Sequence, residues 1–415
     1  MAGRVFVTGI GIICAIGKNT GETLAALRAG RHGIGKITVL DTVHHDELPA
    51  GEIKLTNTEL AAIAGVTDID MNPRTALLGM IAAAEALQNA GIDPQDNRFR
   101  TGVISASTVG GMDKTEINYR HYEKGKPYNN FVLTHDCSYS TEQIAARLGF
   151  RDMVSTISTA CSSSANSIMF GARLIRHGLL DRVLAGGSDS LSKFTLNGFN
   201  ALMILDKHHC RPFDKSRTGL NLGEGAAFLV LESEEALGSR TPLCELTGYA
   251  NANDAYHQTA SSPDGYGPFL SMKQALEIAK LSFPGIYPGV GGADGANGVG
   301  SDISYINAHG TGTDNNDLTE GIAIGRIFGD AIPPVSSTKP FTGHTLGAAA
   351  AVEAVISILS IRHNTIFPNL NFNEKIEELK FEPVREMITG VTLKHVLSNS
   401  FGFGGNDSTL IFSAC

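Results

Sequence analysis

The sequence lacks several features that would place it in special protein classes. No apolar run approaches the roughly 20 residues that a helix needs to span a membrane. Residues 1–17, MAGRVFVTGIGIICAIG, carry one Arg before an apolar run and have no signal-peptide cleavage site of small residues. Basic residues are not in excess either, because 33 Lys and Arg stand against 42 Asp and Glu, whereas nucleic-acid-binding surfaces are normally basic. We therefore expect a cytoplasmic protein that binds neither membrane nor nucleic acid.

Patterns for metal and nucleotide binding are also missing. The six cysteines have neither C-x-x-C nor Cys/His spacing, so each is expected to be a reduced thiol rather than part of a disulfide framework or a metal site. Gly9, Gly11 and Gly17 do not form a dinucleotide fingerprint, because G-x-G-x-x-G requires its third glycine earlier. No G-x-x-x-x-G-K-[ST] phosphate loop occurs. The sequence thus predicts no metal and no nucleotide cofactor.

Short β-branched runs alternate with helical patterns along the whole chain, which favours an α/β fold. The runs lie at residues 4–8, 100–107, 153–158, 182–187, 226–232, 302–308 and 391–399. A helix is predicted from Asn72-Pro73 to Gly91, and Ser140 with Gln143 suggests a capping box for a later helix.

A weak internal similarity suggests two related units. VFVTGIGIICAIG near residue 5 and CELTGYANANDAY near residue 244 both resemble a strand, then Thr-Gly, then a loop of small residues. We therefore predict an N-terminal half at residues 1–250 and a C-terminal half at residues 251–415. The Pro- and Gly-rich segment 283–300 is predicted to be an inserted surface loop.

One cysteine stands at a position suited to chemistry. In STACSSSANSIMFGARLIRHG, residues 158–178, apolar residues recur at helical spacing after Cys161 and Gly178 ends the pattern. Free amides at the start of that helix would stabilise a thiolate and lower the pKa of Cys161, and they could also hold an oxyanion. The alternative is a small buried Cys at a strand–helix junction, since free Cys is among the most buried residue types.

Three further motifs favour the chemical interpretation. His309 ends a predicted strand in NAHGTGTDNNDLTE (307–320), where flanking glycines allow close backbone approach. Lys339 and His344 precede a helix of small residues in STKPFTGHTLGAAAAVEAV (337–355). The segment SNSFGFGGNDSTLIF (398–412) reads as a strand, a glycine-rich turn and a second strand, with more glycine than a hairpin requires.

These motifs together resemble the β-ketoacyl-acyl-carrier-protein synthases of the elongating I/II type. TACSSS, RPFDKSRTGLNLGEGAAFLVLE (211–232), NAHGTGT, KPFTGHTLGAAAAVE and NSFGFGGN occur in the family's order at about its spacing, across nearly the whole chain. The resemblance implies an α/β, thiolase-like fold of five layers, αβαβα, built from two similar halves and usually forming a homodimer.

The implied reaction is a decarboxylative Claisen condensation that elongates fatty acids. Cys161 would accept the acyl group, and His309 and His344 would stabilise the enolate formed when malonyl-acyl-carrier protein loses CO2. Lys339, with Glu353 in support, would supply positive charge and orient the network. An ion pair without a catalytic role is the alternative for Lys339.

The resemblance also assigns residues around this centre. Phe403, with Phe401 in the same glycine-rich turn, would form a gate, and the Phe403 amide would join that of Cys161 in an oxyanion hole. Thr311 and Thr313 would contact the pantetheine arm. Asp254, His257 and Thr259 match a mobile loop that moves with the gate, although plain surface-loop roles are the alternative for these three.

The implied partner is the acyl carrier protein, whose phosphopantetheine carries the substrates, so no separate cofactor is expected. An acidic carrier needs a local cationic patch, and Arg211 matches one such position of the family, whereas TDIDMNPRT supplies only Arg74 at the other. The usual Lys and Arg run before the 73–90 helix is absent, which puts the carrier contacts in question. GGND at 404–407, where the family more often has GGTN, is expected to have little effect on the chemistry.

Other functions fit the sequence less well. A chain-length partner subunit, which would form a heterodimer with a related chain, typically lacks the nucleophilic Cys. A thiolase would carry a second Cys in its C-terminal glycine motif, and a cysteine hydrolase does not explain two histidine motifs. Within the enzyme class, a dedicated ketosynthase of a polyene or polyketide pathway remains the alternative to fatty-acid elongation.

Overall fold

The structure is a computed structural model that describes residues 3–123, 130–284 and 301–415. The predicted insertion at 283–300 lies outside the described residues from residue 285 onward. The strands are β1 (Phe6–Cys14), β2 (Thr101–Ala106), β3 (Met153–Ile157), β4 (Arg182–Asp189), β5 (Gly225–Glu232), β6 (Cys244–Asn253), β7 (Tyr305–Asn307), β8 (Val335–Ser336), β9 (Thr365–Ile366), β10 (Ile388–Thr389), β11 (His395–Gly402) and β12 (Asn406–Ser413).

The helices fall between these strands, as the alternating pattern predicts. They are α1 (Thr20–Arg28), α2 (Asn57–Ala64), α3 (Arg74–Ala90), α4 (Met112–Glu123), α5 (Cys137–Leu148), α6 (Ser163–Arg176), α7 (Lys193–Ala201), α8 (Glu234–Leu237), α9 (Tyr266–Ala279), α10 (Asp314–Phe328), α11 (Lys339–Thr342) and α12 (Ala349–His363). Two short 3₁₀ turns, Asn130–His135 and Leu346–Ala348, complete the elements.

Ten strands are connected in the order β3-β2-β4-β5-β1-β6-β12-β11-β7-β8. The first half contributes β1 to β5, and the second half contributes β6, β7, β8, β11 and β12. When the strands are numbered by chain order within each half, their order across the second half is the mirror image of that across the first half. The pairing types match as well: the two outer pairs of each half are parallel and the two inner pairs antiparallel. The halves meet at β1 and β6, where Phe6 pairs with Glu245 and Val7 with Cys244. The prediction of two similar halves is therefore confirmed.

Helices cover both outer faces and fill the space between the halves. On the outside, α3 packs on β1 and β5, and α9 packs on β6 and β12. In the centre, α6 contacts β4 and β12, while α12 contacts β5 and β11, so each central helix touches both halves. This arrangement is the expected five-layer αβαβα fold.

The central helix α12 is mostly apolar and buried all round, and its few buried polar side chains are those of Glu353, Ser357 and Ser360. Residues Leu346–His363 are long and apolar enough to cross a membrane by length and composition, but 89% of the stretch is buried inside the protein. It is therefore explained as the core helix of the fold.

Local sequence signals predicted the start and end of one helix correctly and the cap of another incorrectly. The predicted helix after Pro73 is α3, and Gly91 ends it in the left-handed conformation with φ 65°. The predicted capping box of Ser140 and Gln143 is wrong: α5 begins at Cys137, and the Asp136 side chain caps it by accepting from the Ser138 amide. The predicted division between residues 250 and 251 falls inside β6, because the second set of strands already begins at Cys244. The division of the chain into these two halves stays a prediction.

Candidate active site

Several residues that the motifs predict to be functional line one cavity. Cys161, His309, His344, Phe401 and Phe403 line a cavity of about 300 Å³. The cysteine belongs to the first half of the fold, and the other four belong to the second half. The cavity therefore lies where the two halves meet.

Cys161 lies in a tight turn between β3 and α6. Ala160 before it has a φ of 53°, which is strained for a residue with a side chain, and α6 begins two residues later at Ser163. The Ser163 hydroxyl donates to the Ala160 carbonyl (2.5 Å) and accepts from the Thr159 amide (2.8 Å), which fixes the turn. A Cβ at Gly402 would be 3.0 Å from the Cys161 nitrogen, so the β11 end packs directly on this turn.

The expectation of a lowered thiol pKa at Cys161 is not met. The side chain is only 7% exposed, and burial raises the pKa of Cys161 to about 11, because an apolar environment disfavours the thiolate. The Lys339 ammonium and the Phe403 amide act in the opposite direction without reversing the shift. At neutral pH the Cys161 side chain is therefore a neutral thiol, and a thiolate there is disfavoured.

The His309 loop is held by two buried carboxylates that the sequence reasoning missed. Glu320 accepts from the amides of His309 (2.9 Å) and Gly310 (2.8 Å). Asp317 accepts from the amides of Thr311 (3.0 Å) and Gly312 (3.1 Å). The two acids lie three residues apart on α10, which follows the loop directly, so their helical spacing in DNNDLTE was the available signal.

Lys339 connects His309 to Glu353. Its Nζ lies 3.1 Å from His309 Nδ1, donates to the His309 carbonyl (2.5 Å) and forms a short ion pair with Glu353. Burial raises the pKa of Glu353 to about 7, and the charge of Lys339 opposes that shift. Since an ammonium can only donate, His309 Nδ1 is an acceptor and the ring proton is on Nε2.

His344 is held through its main chain and the turn that follows. Its amide donates to the Asn221 carbonyl (2.8 Å) and its carbonyl accepts from the Gly223 amide (2.9 Å). Its Nδ1 is buried with no hydrogen-bond partner in the described part of the chain, and its ring lines the cavity. Three residues on, the Gly347 amide donates to Asp189 (2.7 Å), a buried acid that the sequence analysis did not select.

Both imidazoles are neutral at physiological pH. Burial is the main reason that the pKa of His309 and that of His344 lie well below the usual range, and the Lys339 charge lowers both further. The two ring centroids are 5.4 Å apart, edge to face. Two neutral imidazoles thus line the same cavity as the thiol.

The two phenylalanines of the glycine-rich turn pack at the cavity wall. Phe401 lies 5.8 Å from the His309 ring, and Phe403 stacks on Phe199 with centroids 5.8 Å apart. Thr311 and Thr313 line the same cavity with their hydroxyls 2.9 Å apart.

The residues matched to a mobile loop lie beside that turn. Thr259 lines the cavity, whereas the exposed His257 accepts from the Thr259 amide through Nδ1 (3.1 Å). Asp254 accepts from the amide of Ser262 (2.8 Å) and so closes the loop. The Gly404 amide donates to the Gln258 carbonyl (2.8 Å), which ties the turn to this loop.

The two arginines matched to carrier docking have different environments. Arg74 is buried: it is ion-paired with Glu224 (2.6 Å) and donates to the carbonyls of Ile53 and Leu55, so its assignment to carrier docking is wrong. Arg211 is partly exposed and pairs with Asp206 (3.2 Å). Of the two, only Arg211 can reach a protein on the surface.

Comparisons with known proteins give a consistent family match. Residues 2–236 match the family "Beta-ketoacyl synthase, N-terminal domain", and residues 294–373 match "Beta-ketoacyl synthase, C-terminal domain". The chain is 34% identical to the "3-oxoacyl-[acyl-carrier-protein] synthase 2" of Staphylococcus aureus (strain N315) over 430 residues, covering 99% of this chain and 98% of that protein.

Solved structures agree with this match. One, "The ishigamide ketosynthase/chain length factor", superposes with a TM-score of 0.89 at 31% identity, and each chain is covered completely. Another, described as "AntDE:AntF (apo): type II PKS acyl-carrier protein in complex with its ketosynthase bound to the hexaketide", has a TM-score of 0.83 at 27% identity, again over 100% of both chains.

Proposed function

Because the chain belongs to the beta-ketoacyl synthase family, we propose that it condenses an acyl thioester with malonyl-acyl-carrier protein and thereby elongates a fatty acid. The observation that carries the proposal is the convergence of Cys161, His309 and His344, from three separate segments, on one cavity. A thiol and two neutral imidazoles supply what this reaction needs: a nucleophile and donors for an enolate.

In the first half-reaction the Cys161 sulfur attacks the carbonyl carbon of the incoming thioester. The bond from that carbon to the carrier's sulfur breaks, and the thiol proton leaves Cys161 and ends on the carrier thiol. The amides of Cys161 and Phe403 face the developing oxyanion, and the contact of the Phe403 amide with the Cys161 sulfur supports this placement. The acyl group then remains on Cys161.

In the second half-reaction the malonyl group loses CO2, and the bond electrons form an enolate on the thioester. His309 Nε2–H and His344 donate to the enolate oxygen. Lys339 matters because its contact with Nδ1 keeps the His309 proton on the nitrogen that faces the substrate. The enolate carbon attacks the acyl carbon, the bond to Cys161 breaks, and the cysteine sulfur takes up a proton.

The remaining assignments follow from the same proposal. Thr311 and Thr313 line the path of the pantetheine arm, and residues 401–405, here called the gate turn, close the acyl side. Arg211 docks the acyl carrier protein near the cavity mouth, since its guanidinium contacts the hydroxyl of Thr218, a cavity residue. We place the enzyme in the cytoplasm as a homodimer, with no cofactor besides the carrier's phosphopantetheine.

A second candidate function has one observation in its favour. The two solved structures reported above are named as ketosynthases, one with a chain length factor and one of a type II polyketide system, and both are covered completely by this chain. A polyene or polyketide ketosynthase paired with a related subunit therefore remains the alternative. The two candidates differ in substrate and in partner, not in the chemistry of Cys161.

The test is to incubate the protein with a ladder of acyl-carrier-protein thioesters and to record intact and tandem mass spectra. We expect the added acyl mass on Cys161, and we expect the accepted substrates to be saturated fatty acyl chains. Cys415→Ser, which removes the exposed thiol, should load equally, and Cys161→Ser should not form a thioester. Loading of polyene or polyketide chains alone would favour the second candidate, and no loading on Cys161 would contradict both.

A further inference from the structure

Asp407 is a buried carboxyl group next to the gate turn. It lies in β12, paired with Phe401 across the hairpin and with Ala252 of β6. Its exposure is 0%, and neither side-chain oxygen has a hydrogen-bond partner in the described part of the chain. A bare buried carboxylate is strongly disfavoured, so the group needs a proton or a counter-charge.

A second carboxyl group, that of Asp254, lies beside Asp407. A Cβ placed on Gly267 would be 2.0 Å from Asp407 Oδ2 and 3.1 Å from the Asp254 Cβ, so both acids border the same point beside α9. Asp254 in turn borders the gate turn, because a Cβ on Gly405 would be 2.3 Å from Asp254 Oδ1. The side chains of Asp407 and Asp254 are therefore neighbours.

The charges around Asp407 all have the same sign. Asp254 at the end of β6 and Glu320 on α10 are the ionisable groups whose charge acts on it, while α9 presents the neutral Gly267 and β12 the neutral Thr409 on the same face. Burial, and then the two acids, raise the pKa of Asp407 to about 8. At neutral pH the group is therefore mostly protonated, and it carries no charge that would repel the Asp254 carboxylate.

Asp254 also organises the segment at the cavity mouth, residues 254–262, here called the rim segment. It accepts from the amides of Tyr256 (3.2 Å) and Ser262 (2.8 Å), and Thr259 within the segment lines the cavity. Two contacts tie this part of the chain to the gate turn: Asn253, just before the rim segment, donates to the Gly404 carbonyl (2.7 Å), and the Gly404 amide donates to the carbonyl of Gln258 within the segment.

We propose that Asp407 is a positioning residue of the gate, which in its neutral, protonated form lets the Asp254 carboxylate lie beside it and so keeps the rim segment against the gate turn. When Asp407 ionises, repulsion between the two carboxylates loosens this contact and the rim segment opens. The inference depends on the proposed function only for the role of residues 401–405 as a gate.

The test is hydrogen–deuterium exchange of peptides covering 254–262 and 401–406 as a function of pH, corrected for the intrinsic exchange rate. The ionised fraction grows from about one-tenth at pH 7 to about nine-tenths at pH 9, so exchange of both peptides should rise up to about ninefold. In Asp407→Asn, which cannot ionise, corrected exchange should stay low and flat. Asp330→Asn, at an exposed acid, should behave like the wild type.

Three results would overturn the inference. They are a flat wild-type profile, the same rise in Asp407→Asn, and a rise that added Ca²⁺ or K⁺ abolishes, which would show that a cation rather than a proton holds the pair. A general loss of structure in Asp407→Asn would be visible as faster exchange in peptides of α3 or α12. Because exchange requires no turnover, failure here is distinct from failure of acyl loading on Cys161.

Discussion

Replacement of Lys339 separates its structural role from its chemical role. Lys339 and Glu353 are each 2% exposed and pair with each other. Lys339→Met leaves the Glu353 carboxylate buried with only a long contact to the Ser400 hydroxyl (3.4 Å). Removing one partner of a buried ion pair costs about 3–5 kcal/mol, which for a chain of 415 residues lowers Tm by roughly 3–6 °C in a scanning measurement.

The double variant Lys339→Met with Glu353→Leu is the matched control. Replacing both members of a buried pair with apolar side chains of similar volume is often neutral, so we expect most of the lost Tm to return. Activity should not return, because the donor that fixes the proton of His309 on Nε2 is gone. Loss of such preorganised donation costs about 10²-fold or more in turnover, measured as CO2 release from malonyl-acyl-carrier protein.

The pH profile adds an independent readout. Burial, Lys339 and His344 together hold the pKa of His309 well below its usual range, so wild-type decarboxylation should not fall as the pH drops towards 6.5. Without the Lys339 charge the pKa of His309 rises, so the ring becomes cationic at a higher pH than in the wild type. The pH at which decarboxylation begins to fall on the acid side of the profile should therefore be higher in the variant. A double variant with wild-type turnover and an unchanged profile would refute the catalytic role of Lys339 and leave only the ion pair.

Three further expectations follow from the site. Since burial raises the pKa of Cys161 to about 11, its alkylation by iodoacetamide should rise about tenfold per pH unit from neutrality to about pH 10, and a plateau near neutrality would contradict this. Arg74→Met, which strands Glu224, should lower Tm yet leave KM for the acyl carrier protein unchanged; a stable variant with weakened carrier binding would return Arg74 to the docking surface. Arg211→Ala should raise that KM several-fold at low salt and, because it leaves the buried Asp206 carboxylate without its partner, should also lower Tm; an unchanged KM would remove Arg211 from the docking surface.

The sequence predicts the α/β fold and the residues that form the site, because both can be recognised from local sequence patterns. The alternation of strands and helices appears in short windows of sequence. The segments around Cys161, His309 and His344 each have a composition that is hard to explain by packing alone. The structure brings all three to one cavity, as the resemblance implies.

Properties set by tertiary neighbours could not be read in the same way. The partner of Arg74 is Glu224, 150 residues away, and no local pattern reveals that the pair is buried. The thiol pKa was predicted from the start of α6, but the hairpin that carries Phe403 covers Cys161, and burial outweighs the helix. The same hairpin places Asp407 beside Asp254, whereas the sequence shows only a small departure from GGTN.

The most direct test of the central claim is to measure both half-reactions in His344→Ala. Acyl transfer is followed as added mass on Cys161 from an acyl-acyl-carrier protein, and decarboxylation as CO2 release from malonyl-acyl-carrier protein, with His177→Ala as a control at an exposed histidine. The account predicts that His344→Ala loads Cys161 but releases no CO2 above background, while the control performs both steps. Wild-type condensation by His344→Ala would contradict the assignment of this ring to the enolate.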